Sequence, residues 1–341
     1  MLVLPADDRL SYLAPQAVDR GRAEVRLERF PIAVATTLAG QIGPLANLRS
    51  SSGCGIALRS DSPWVELRLA RLRHHQPTPC GIALEVADGT GGAAWRVTSS
   101  ADLREHDGEV AVRLATGCAP GAAPTAMIAW LPLISTCAIA GVAFADGAEV
   151  APWRPPEPDW LVLGDSLAQG FCVQDPTQGW IHRLARARGR DAWNLGVGGI
   201  GIVSEAFAWA LDRRWDTVLI ALGSNHAWRD SDVAAVGDRA RALAEQVLAS
   251  SPRRVCWLLP PWKALEGGAG PAEFAGVALA PAAPRLPVIR AALRAALAGY
   301  PTIELIDDLM PREARLLPDG LHPTASGMAR YAANLRAALG W

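Results

Sequence analysis

The sequence of 341 residues contains a single lysine, Lys263, although basic residues number 33 against 34 acidic ones. The formal net charge is −1. This balance removes the electrostatic argument for a nucleic acid, an anionic membrane or a strongly charged substrate as a partner. We interpret the shortage of lysine, beside the richness in alanine and arginine, as codon bias rather than function.

Cys-x-x-Cys pairs are also missing, which argues against a zinc knuckle or a redox motif. Scattered cysteines of this kind predict small buried thiols in a reducing compartment, although a disulfide such as Cys54–Cys80 stays open. The neighbouring His74 and His75 are interpreted as surface or hydrogen-bonded histidines, so no metal site is predicted. The six cysteines are Cys54, Cys80, Cys118, Cys137, Cys172 and Cys256.

No uncharged apolar run reaches the roughly 20 residues that a membrane-spanning helix needs. Residues 125–145 come closest, but Pro132 and the β-type residues around it favour two short strands. The opening segment "MLVLPADDRL" has neither the basic region nor the apolar core of a secretory signal peptide. These absences predict a cytoplasmic protein.

Residues 1–150 show the period of two that is typical of antiparallel strands. In "WVELRLARL", Val65 and Leu67 alternate with Glu66 and Arg68. Short strands between clusters of Gly, Pro, Ser and Asp predict a β-sandwich of jelly-roll type. Residues 151–159 follow with closely spaced prolines that prevent both helix and sheet, which predicts a linker.

Residues 160–341 show a different pattern, in which short apolar strands alternate with amphipathic helices. This alternation predicts a parallel sheet of five strands, covered by helices on both faces in a three-layer α/β/α domain. In such sheets, sites gather at the carboxyl ends of the strands. The predicted strands contain "LVLG", "AWNLG", "DTVLIALG", "RVCWLLP" and "TIELID".

Four of the segments that follow these strands carry polar groups suited to acyl transfer. A serine needs a base to take its proton, and the base is usually a histidine oriented by a carboxylate. Ser166, His322 and Asp319 supply these groups, and a spacing of three residues lets the last two meet on one turn. The alternative is that they are cap and turn residues only. The segments are "GDSL" (164–167), "NLGVGGIG" (194–201), "GSNH" (223–226) and "DGLHP" (319–323).

A tetrahedral intermediate also needs hydrogen-bond donors for its oxyanion. Candidates are the backbone N–H of Ser166, the N–H of Gly199 and the side-chain amide of Asn225. Gly198 is an alternative to Gly199, and either glycine lets the backbone approach a substrate closely. We interpret Asp165 as a structural carboxylate that binds nearby backbone.

From about Trp160 to the C-terminus, these four segments resemble the blocks of the SGNH hydrolases, the GDSL esterase/lipase superfamily. The resemblance implies Ser166 as nucleophile, Asp319 and His322 as its partners, and Gly199 and Asn225 in the oxyanion hole. His226 is a departure, because many members carry aspartate there. A sandwich ahead of such a domain resembles the two-domain carbohydrate esterases.

The expected activity is hydrolysis of short acyl esters, acetyl above all, of a sugar or other glycoside through a covalent acyl-enzyme. No cofactor, metal, nucleic acid or membrane is implied. The alternatives are a lipase, thioesterase or acyltransferase acting on a secondary metabolite, and a non-catalytic carbohydrate-binding protein. We expect His226, Trp228 and Trp262 at the mouth of the site, because imidazole and indole groups suit sugar rings.

Overall fold

The computed structural model describes residues 1–15, 23–39, 45–75, 79–88, 94–119 and 121–341. These form two compact units. The main division between them falls at 157–158, and each unit also takes in short segments from elsewhere in the chain. The N-terminal unit comprises Met1–Thr37, Pro44–Glu157 and Val173–Gln178, and the C-terminal unit comprises Leu38–Gly43, Pro158–Cys172 and Gly179–Trp341.

The N-terminal unit is built from antiparallel strands, with two short helices, α1 (Ile32–Leu38) and α2 (Leu45–Leu48), in the same part of the chain. One sheet has the order β1-β9-β4-β7, and the other has the order β10-β3-β8-β5-β6 with β2 paired to β3. The strands are β1 (Leu2–Val3), β2 (Ser11–Leu13), β3 (Gly55–Ser60), β4 (Trp64–His74), β5 (Gly81–Asp88), β6 (Ala94–Asp102), β7 (Gly108–Ala115), β8 (Thr125–Trp130), β9 (Ser135–Phe144) and β10 (Val150–Ala151).

The two antiparallel sheets bury one common core. Val65 and Leu67 of β4 point into it, together with Ile56, Leu84 and Met127 from the other sheet. Along β4 the alternate residues face outward, as the period of two requires. The predicted β-sandwich is therefore confirmed.

The C-terminal unit contains a parallel sheet with the order β12-β11-β13-β14-β17, as well as a small antiparallel hairpin, β15–β16. Helix α4 packs against α8, and α6 against α7. The predicted α/β/α architecture is confirmed. The elements are β11 (Trp160–Gly164), α3 (Ser166–Gln169), α4 (Trp180–Ala187), β12 (Ala192–Gly196), α5 (Ala208–Leu211), β13 (Thr217–Ala221), α6 (Asp230–Ala249), β14 (Arg254–Leu258), β15 (Glu273–Phe274), β16 (Val277–Ala278), α7 (Arg285–Leu297), β17 (Ile303–Ile306) and α8 (Ala325–Ala338).

The strand order places β11 between β12 and β13. The chain therefore adds β12 on one side of β11 and the later strands on the other side. Gly164 at the end of β11 is in register with Gly196 of β12 and Ala221 of β13. The segments that leave these three strands therefore begin at one edge of the sheet. Crevices at such reversal points are where open α/β sheets bind ligands.

Close packing of α3 explains why β11 and β12 both end in glycine. A Cβ atom at Gly164 would lie 2.3 Å from the Cβ of Ala168, and one at Gly196 would lie 2.4 Å from the N of Gln169. No side chain fits in either place. The helix that carries Ser166 is thereby held directly against the strand ends.

Several expectations about cysteine, histidine and membrane segments are settled in the same structure. All six cysteines are free thiols, so a Cys54–Cys80 disulfide is not formed. His74 Nδ1 lies 2.9 Å from Ser135 Oγ, and His75 Nε2 lies 2.9 Å from Thr136 Oγ1, which confirms that both are hydrogen-bonded histidines. Among the described residues, none of the helices combines the length and the apolar character needed to cross a bilayer.

Candidate active site

Ser166 is the first residue of α3, directly after β11. Asp165 caps this helix, because its Oδ1 accepts a hydrogen bond of 3.0 Å from the N–H of Leu167. The helix lasts only four residues and ends at Gly170, whose φ of 97° suits a glycine. The structural interpretation of Asp165 is therefore confirmed, and the capped turn fixes the position of the serine side chain.

A continuous chain of hydrogen bonds joins Ser166, His322 and Asp319. Ser166 Oγ lies 2.8 Å from His322 Nε2, and His322 Nδ1 lies 2.7 Å from Asp319 Oδ2. An ionised carboxylate accepts hydrogen bonds only, so the imidazole carries its proton on Nδ1 and offers Nε2 to the serine hydroxyl. This arrangement can take a proton from the serine as it attacks a carbonyl carbon.

Asp319 is held by the turn that it shares with the histidine. Its Oδ1 accepts from the backbone N–H groups of Leu321, at 2.9 Å, and His322, at 2.7 Å. Burial alone would raise the pKa of Asp319, but the hydrogen bonds from the His322 side chain and from these two N–H groups outweigh it and lower the pKa to about 2. The carboxylate therefore stays charged at any pH at which the protein would work.

Two phenylalanines pack against the His322 ring. The Phe171 ring is stacked on it with centroids 5.0 Å apart, and the Phe274 ring, from the β15–β16 hairpin, lies at 5.2 Å. Cys172 Sγ approaches Asp319 Oδ2 at 3.5 Å. Burial raises the pKa of the Cys172 thiol to about 12, so the thiol is protonated and donates to the carboxylate. These contacts restrict rotation of the imidazole and of the carboxylate.

The two backbone N–H groups predicted as oxyanion donors are those of Ser166 and Gly199. Neither Ser166 N–H nor Gly199 N–H donates to another residue in the described part of the chain. By contrast, the N–H of Gly198 donates to Gln169 Oε1 at 2.5 Å. Gly199 is exposed, has a φ of 84°, and leaves empty space where a Cβ would stand. These contacts favour Gly199 over Gly198 as the donor.

The side-chain amide of Asn225 is oriented by two neighbours. Its Nδ2 donates to the carbonyl of Ile200 at 2.9 Å, and its Oδ1 accepts from the indole N–H of Trp228 at 3.1 Å. One N–H of Nδ2 is thus fixed by its hydrogen bond to Ile200. Because the amide group is planar, this bond also fixes the direction of the second N–H. A preoriented donor of this kind stabilises developing negative charge without having to reorganise.

Residues 162–330 match the model of the GDSL-like Lipase/Acylhydrolase family. The C-terminal unit belongs to this family. The resemblance predicted from the four motifs is thereby confirmed. No curated protein matches the sequence.

Solved structures similar to the chain include an acyltransferase, a putative GDSL-like lipase and a carbohydrate esterase. The salicylyl-acyltransferase SsfX3 from a tetracycline biosynthetic pathway has a TM-score of 0.75 at 19% identity, over 100% of this chain and 97% of that one. A putative GDSL-like lipase from Bacteroides ovatus ATCC 8483 has a TM-score of 0.78 at 15% identity, over 97% of both chains. A family two carbohydrate esterase from Clostridium thermocellum, in complex with cellohexaose, has a TM-score of 0.58 at 14% identity, over 86% of this chain and 94% of that one. At these identities the likeness concerns the fold.

A small cavity of about 20 Å³ opens beside Ser166 and His322 in this GDSL-like domain. That volume is close to what a single water molecule or a small group such as a methyl occupies. Most of its lining residues are apolar, which suits a short hydrocarbon group, and the others are Ser166, Ser224, Asn225, Lys263 and His322. The apolar walls are Ala227, Trp228, Leu265, Ala282, Leu286 and Leu321.

The structure corrects the expectation that His226 lies at the mouth of the site. The side chain is only 1% exposed. Its Nε2 accepts from the N–H of Ile202 at 2.9 Å, and its Nδ1 donates to the carbonyl of Asp232 at 3.0 Å. Both ring nitrogens are therefore occupied by backbone, and burial lowers the pKa of His226 so that it is neutral.

The two tryptophans predicted at the mouth differ in position. Trp228 is half-buried, lines the cavity and binds Asn225. Trp262 is also half-buried, but it lies beside Gly267 and is not among the residues that line the cavity in the described structure. The pair does not form the two aromatic walls that the sequence suggested.

Lys263 is the functional-site residue that sequence reasoning missed. It follows β14, is 2% exposed, and its Nζ donates to the carbonyl of Leu321 at 2.8 Å. On sequence alone, the scarcity of lysine is interpreted as codon bias. The signal that could have found it is the placement of the sole lysine in the segment after the fourth strand of the sheet, at the edge where the other motifs meet.

Proposed function

We propose that the protein is a serine esterase that cleaves short acyl esters through a covalent acyl-enzyme. Ser166 is the nucleophile, His322 the general base and Asp319 the carboxylate that orients the imidazole. The observation that carries this proposal is the hydrogen-bonded chain from Ser166 Oγ to His322 Nε2 at 2.8 Å and from His322 Nδ1 to Asp319 Oδ2 at 2.7 Å.

In the first half-reaction, Ser166 Oγ attacks the carbonyl carbon of the ester while its proton moves to His322 Nε2. The Asp319 carboxylate stabilises the imidazolium that forms. The N–H groups of Ser166 and Gly199 and the amide of Asn225 bind the oxyanion. As the tetrahedral intermediate collapses, the alcohol leaves with the proton from Nε2. A water molecule activated by the same imidazole then releases the acid and regenerates the serine.

The size and lining of the cavity support a short acyl group. A cavity of about 20 Å³ with apolar walls accepts the methyl of an acetyl group, whereas a chain of eight carbons would need a far larger space. Each methylene that does not fit costs a factor of roughly ten or more in kcat/KM. The acetyl group is therefore the preferred acyl group.

A hydroxylated molecule such as a sugar or glycoside is the proposed alcohol. The likeness to the carbohydrate esterase from Clostridium thermocellum supports this choice, and Trp228 offers one apolar face for a ring. The support from side chains is smaller than the sequence suggested, since His226 is buried and Trp262 lies away from the cavity.

Acyl transfer to another alcohol is the second candidate. The likeness to the acyltransferase SsfX3 extends over the whole chain. In addition, Phe171 and Phe274 flank the base, and His322 is only 5% exposed. The two rings offer an apolar surface beside the base, which suits an organic alcohol as the acceptor of the acyl group.

A comparison of nitrophenyl acetate and octanoate tests the proposal, with acetylated sugars and added alcohols as further substrates. We expect acetate to be turned over at least about tenfold faster in kcat/KM than octanoate, and the Ser166→Ala variant to be inactive on both. Faster turnover of octanoate would favour the lipase or thioesterase alternative. A folded wild-type protein that binds sugars but hydrolyses no ester would instead favour a carbohydrate-binding protein.

A further inference from the structure

Lys263 is a buried charged group that the proposed reaction does not use. It is the sole lysine of the chain. Burial lowers its pKa, while nearby carboxylates raise it. Its Nζ donates to the carbonyl of Leu321, the residue between Gly320 and the catalytic histidine. A lysine so deep in a protein is uncommon unless its charge has partners.

The partner that needs this charge is Asp165. Glu266 also faces Lys263, but it already forms an ion pair with Arg290. Asp319 is already engaged by hydrogen bonds from the His322 side chain and from two backbone N–H groups. Asp165 is only 4% exposed, so burial raises its pKa, and the charge of Lys263 is the largest influence that lowers it. Both groups are buried and each acts electrostatically on the other, and they are defined below as the Asp165–Lys263 pair.

The Asp165–Lys263 pair connects the segments that carry the catalytic groups. On one side, Asp165 caps the helix that begins at Ser166, and it also receives a hydrogen bond from the Ser224 side chain, next to Asn225. On the other side, Lys263 holds the carbonyl of Leu321 on the turn of the base. The nucleophile, the oxyanion donors and the base come from separate loops, which the pair ties together.

We propose that Lys263 is a positioning residue of this site, whose ammonium group holds the Asp165 end and the Leu321 end at the spacing that proton transfer requires. The inference rests on the proposed function. Serine-to-histidine transfer depends on a distance of 2.8 Å, and displacement by about 1 Å can cost roughly a hundredfold in rate. Lys263 lines the same cavity as Ser166 and His322, and its Nζ donates to the Leu321 carbonyl, so it acts on the reacting atoms through its neighbours.

The first test is the Lys263→Met variant, which keeps the length of the side chain but removes the charge. We expect kcat to fall on the order of a hundredfold with little change in KM. Removing a buried positive charge also makes proton uptake easier at every nearby group, so the acid limb of the pH profile should move to higher pH. The titratable groups that face this region are Asp165, Cys172, Glu266, Arg290, Asp319, His322 and Tyr331.

A double-mutant cycle with Asp165→Asn separates positioning from general damage. If Lys263 acts through Asp165, the double variant should be about as slow as the slower single variant, because residues that act as a unit are not additive. Losses that multiply would contradict the inference. So would a Lys263→Met variant with wild-type kcat and an unchanged pH profile.

A measurement on the wild-type protein covers the case in which the variant does not fold. Because the chain has one lysine, isotope labelling of lysine Nζ yields a single NMR signal that reports its charge. We expect a charged ammonium throughout the pH range of activity, and a neutral amine there would overturn the inference. Turnover surviving in Ser166→Ala would contradict the proposed function, whereas an inactive Ser166→Ala with an unaffected Lys263→Met contradicts the role of Lys263 alone.

Discussion

Within the part of the chain that the structure describes, each unit buries one lysine or arginine almost completely, and these two cations have different partners. In the N-terminal unit, Arg29 is fully buried, with Nε donating to the carbonyl of Ser50 at 2.8 Å and Nη2 to that of Asn47 at 2.5 Å. In the C-terminal unit, Lys263 faces the carboxylate of Asp165 and the turn that carries His322. Arg29 binds backbone carbonyl groups within the β-sandwich, whereas Lys263 lies in the same cavity as Ser166 and His322.

The difference shows that the partners of a buried charge can stabilise a fold or organise a site. A buried charge must find hydrogen bonds or an opposite charge, because an isolated one would be very costly. Around Arg29 the described hydrogen bonds go to the carbonyl groups of Ser50 and Asn47 and to the Ser50 hydroxyl, and the Glu28 carboxylate adds an electrostatic attraction. Around Lys263 that need is met in part by carboxylates, and the same field acts on the neighbouring acid and base. A buried charge beside other buried titratable groups is therefore a better indication of a functional site than a buried charge bound to backbone.

The largest effect that would sharpen this comparison is expected from Asp319→Asn. The amide cannot serve as the charged acceptor for His322 Nδ1–H, so the tautomer and the counter-charge are both lost. We expect kcat to fall by about a thousandfold or more while Tm changes little. Steady-state kinetics on nitrophenyl acetate provide the check. Turnover near that of the wild type would mean that a serine–histidine pair suffices.

The next effect concerns the other cation, through Arg29→Met. The carbonyl groups of Ser50 and Asn47 would remain buried without their donor, so we expect the free energy of unfolding to fall by about 3 kcal/mol. Chemical denaturation measures this loss. Arg104→Met, at an exposed ion pair, serves as the control and should leave stability almost unchanged. Equal stability of the two variants would contradict the structural role given to Arg29.

A smaller effect is expected from Trp228→Phe. This change keeps an aromatic wall in the cavity but removes the indole N–H that fixes Asn225 Oδ1. We expect kcat to drop about tenfold with KM nearly constant, since one neutral hydrogen bond is worth about 1 kcal/mol. Trp262→Phe is the matched control and should behave like the wild type. A raised KM with normal kcat would contradict this role and would mean that Trp228 contributes to substrate binding instead.

The smallest effect concerns His226, which is buried but neutral. Its pKa is lowered by burial, so the unfolded chain binds a proton that the folded protein resists. Stability should therefore decrease as pH falls below the ordinary histidine value of about 6.5. Chemical denaturation of the wild type and of His226→Gln, above and below that pH, measures the free energy of unfolding. The variant should lose less stability at low pH, because it has no imidazole at this position. An identical pH dependence in both proteins would contradict it.

The sequence predicted the fold through patterns that are local. Alternation in β4 and continuous apolar runs in β11 and β13 follow directly from which faces are buried. The candidate triad could be predicted because Ser166 follows a strand and the spacing of Asp319 and His322 fits one turn. These features depend on neighbours in the chain.

The features that the sequence did not reveal depend on partners far along the chain. His226 looked like a mouth residue because it follows Asn225, but Ile202 and Asp232 take both its nitrogens. Lys263 stands in a proline-rich segment without periodicity. The role proposed for it depends on Asp165, which lies far earlier in the chain. No spacing rule predicts such contacts.

Labelling with a fluorophosphonate probe tests the central claim most directly, since only an activated serine reacts with it. We predict one adduct per chain, located on Ser166 by mass spectrometry of the digested protein. The Ser166→Ala variant should take up no label, and Asp319→Asn should label far more slowly than the wild type. A wild-type protein that stays unlabelled, or a label on another serine, would contradict the account of Ser166 as the nucleophile.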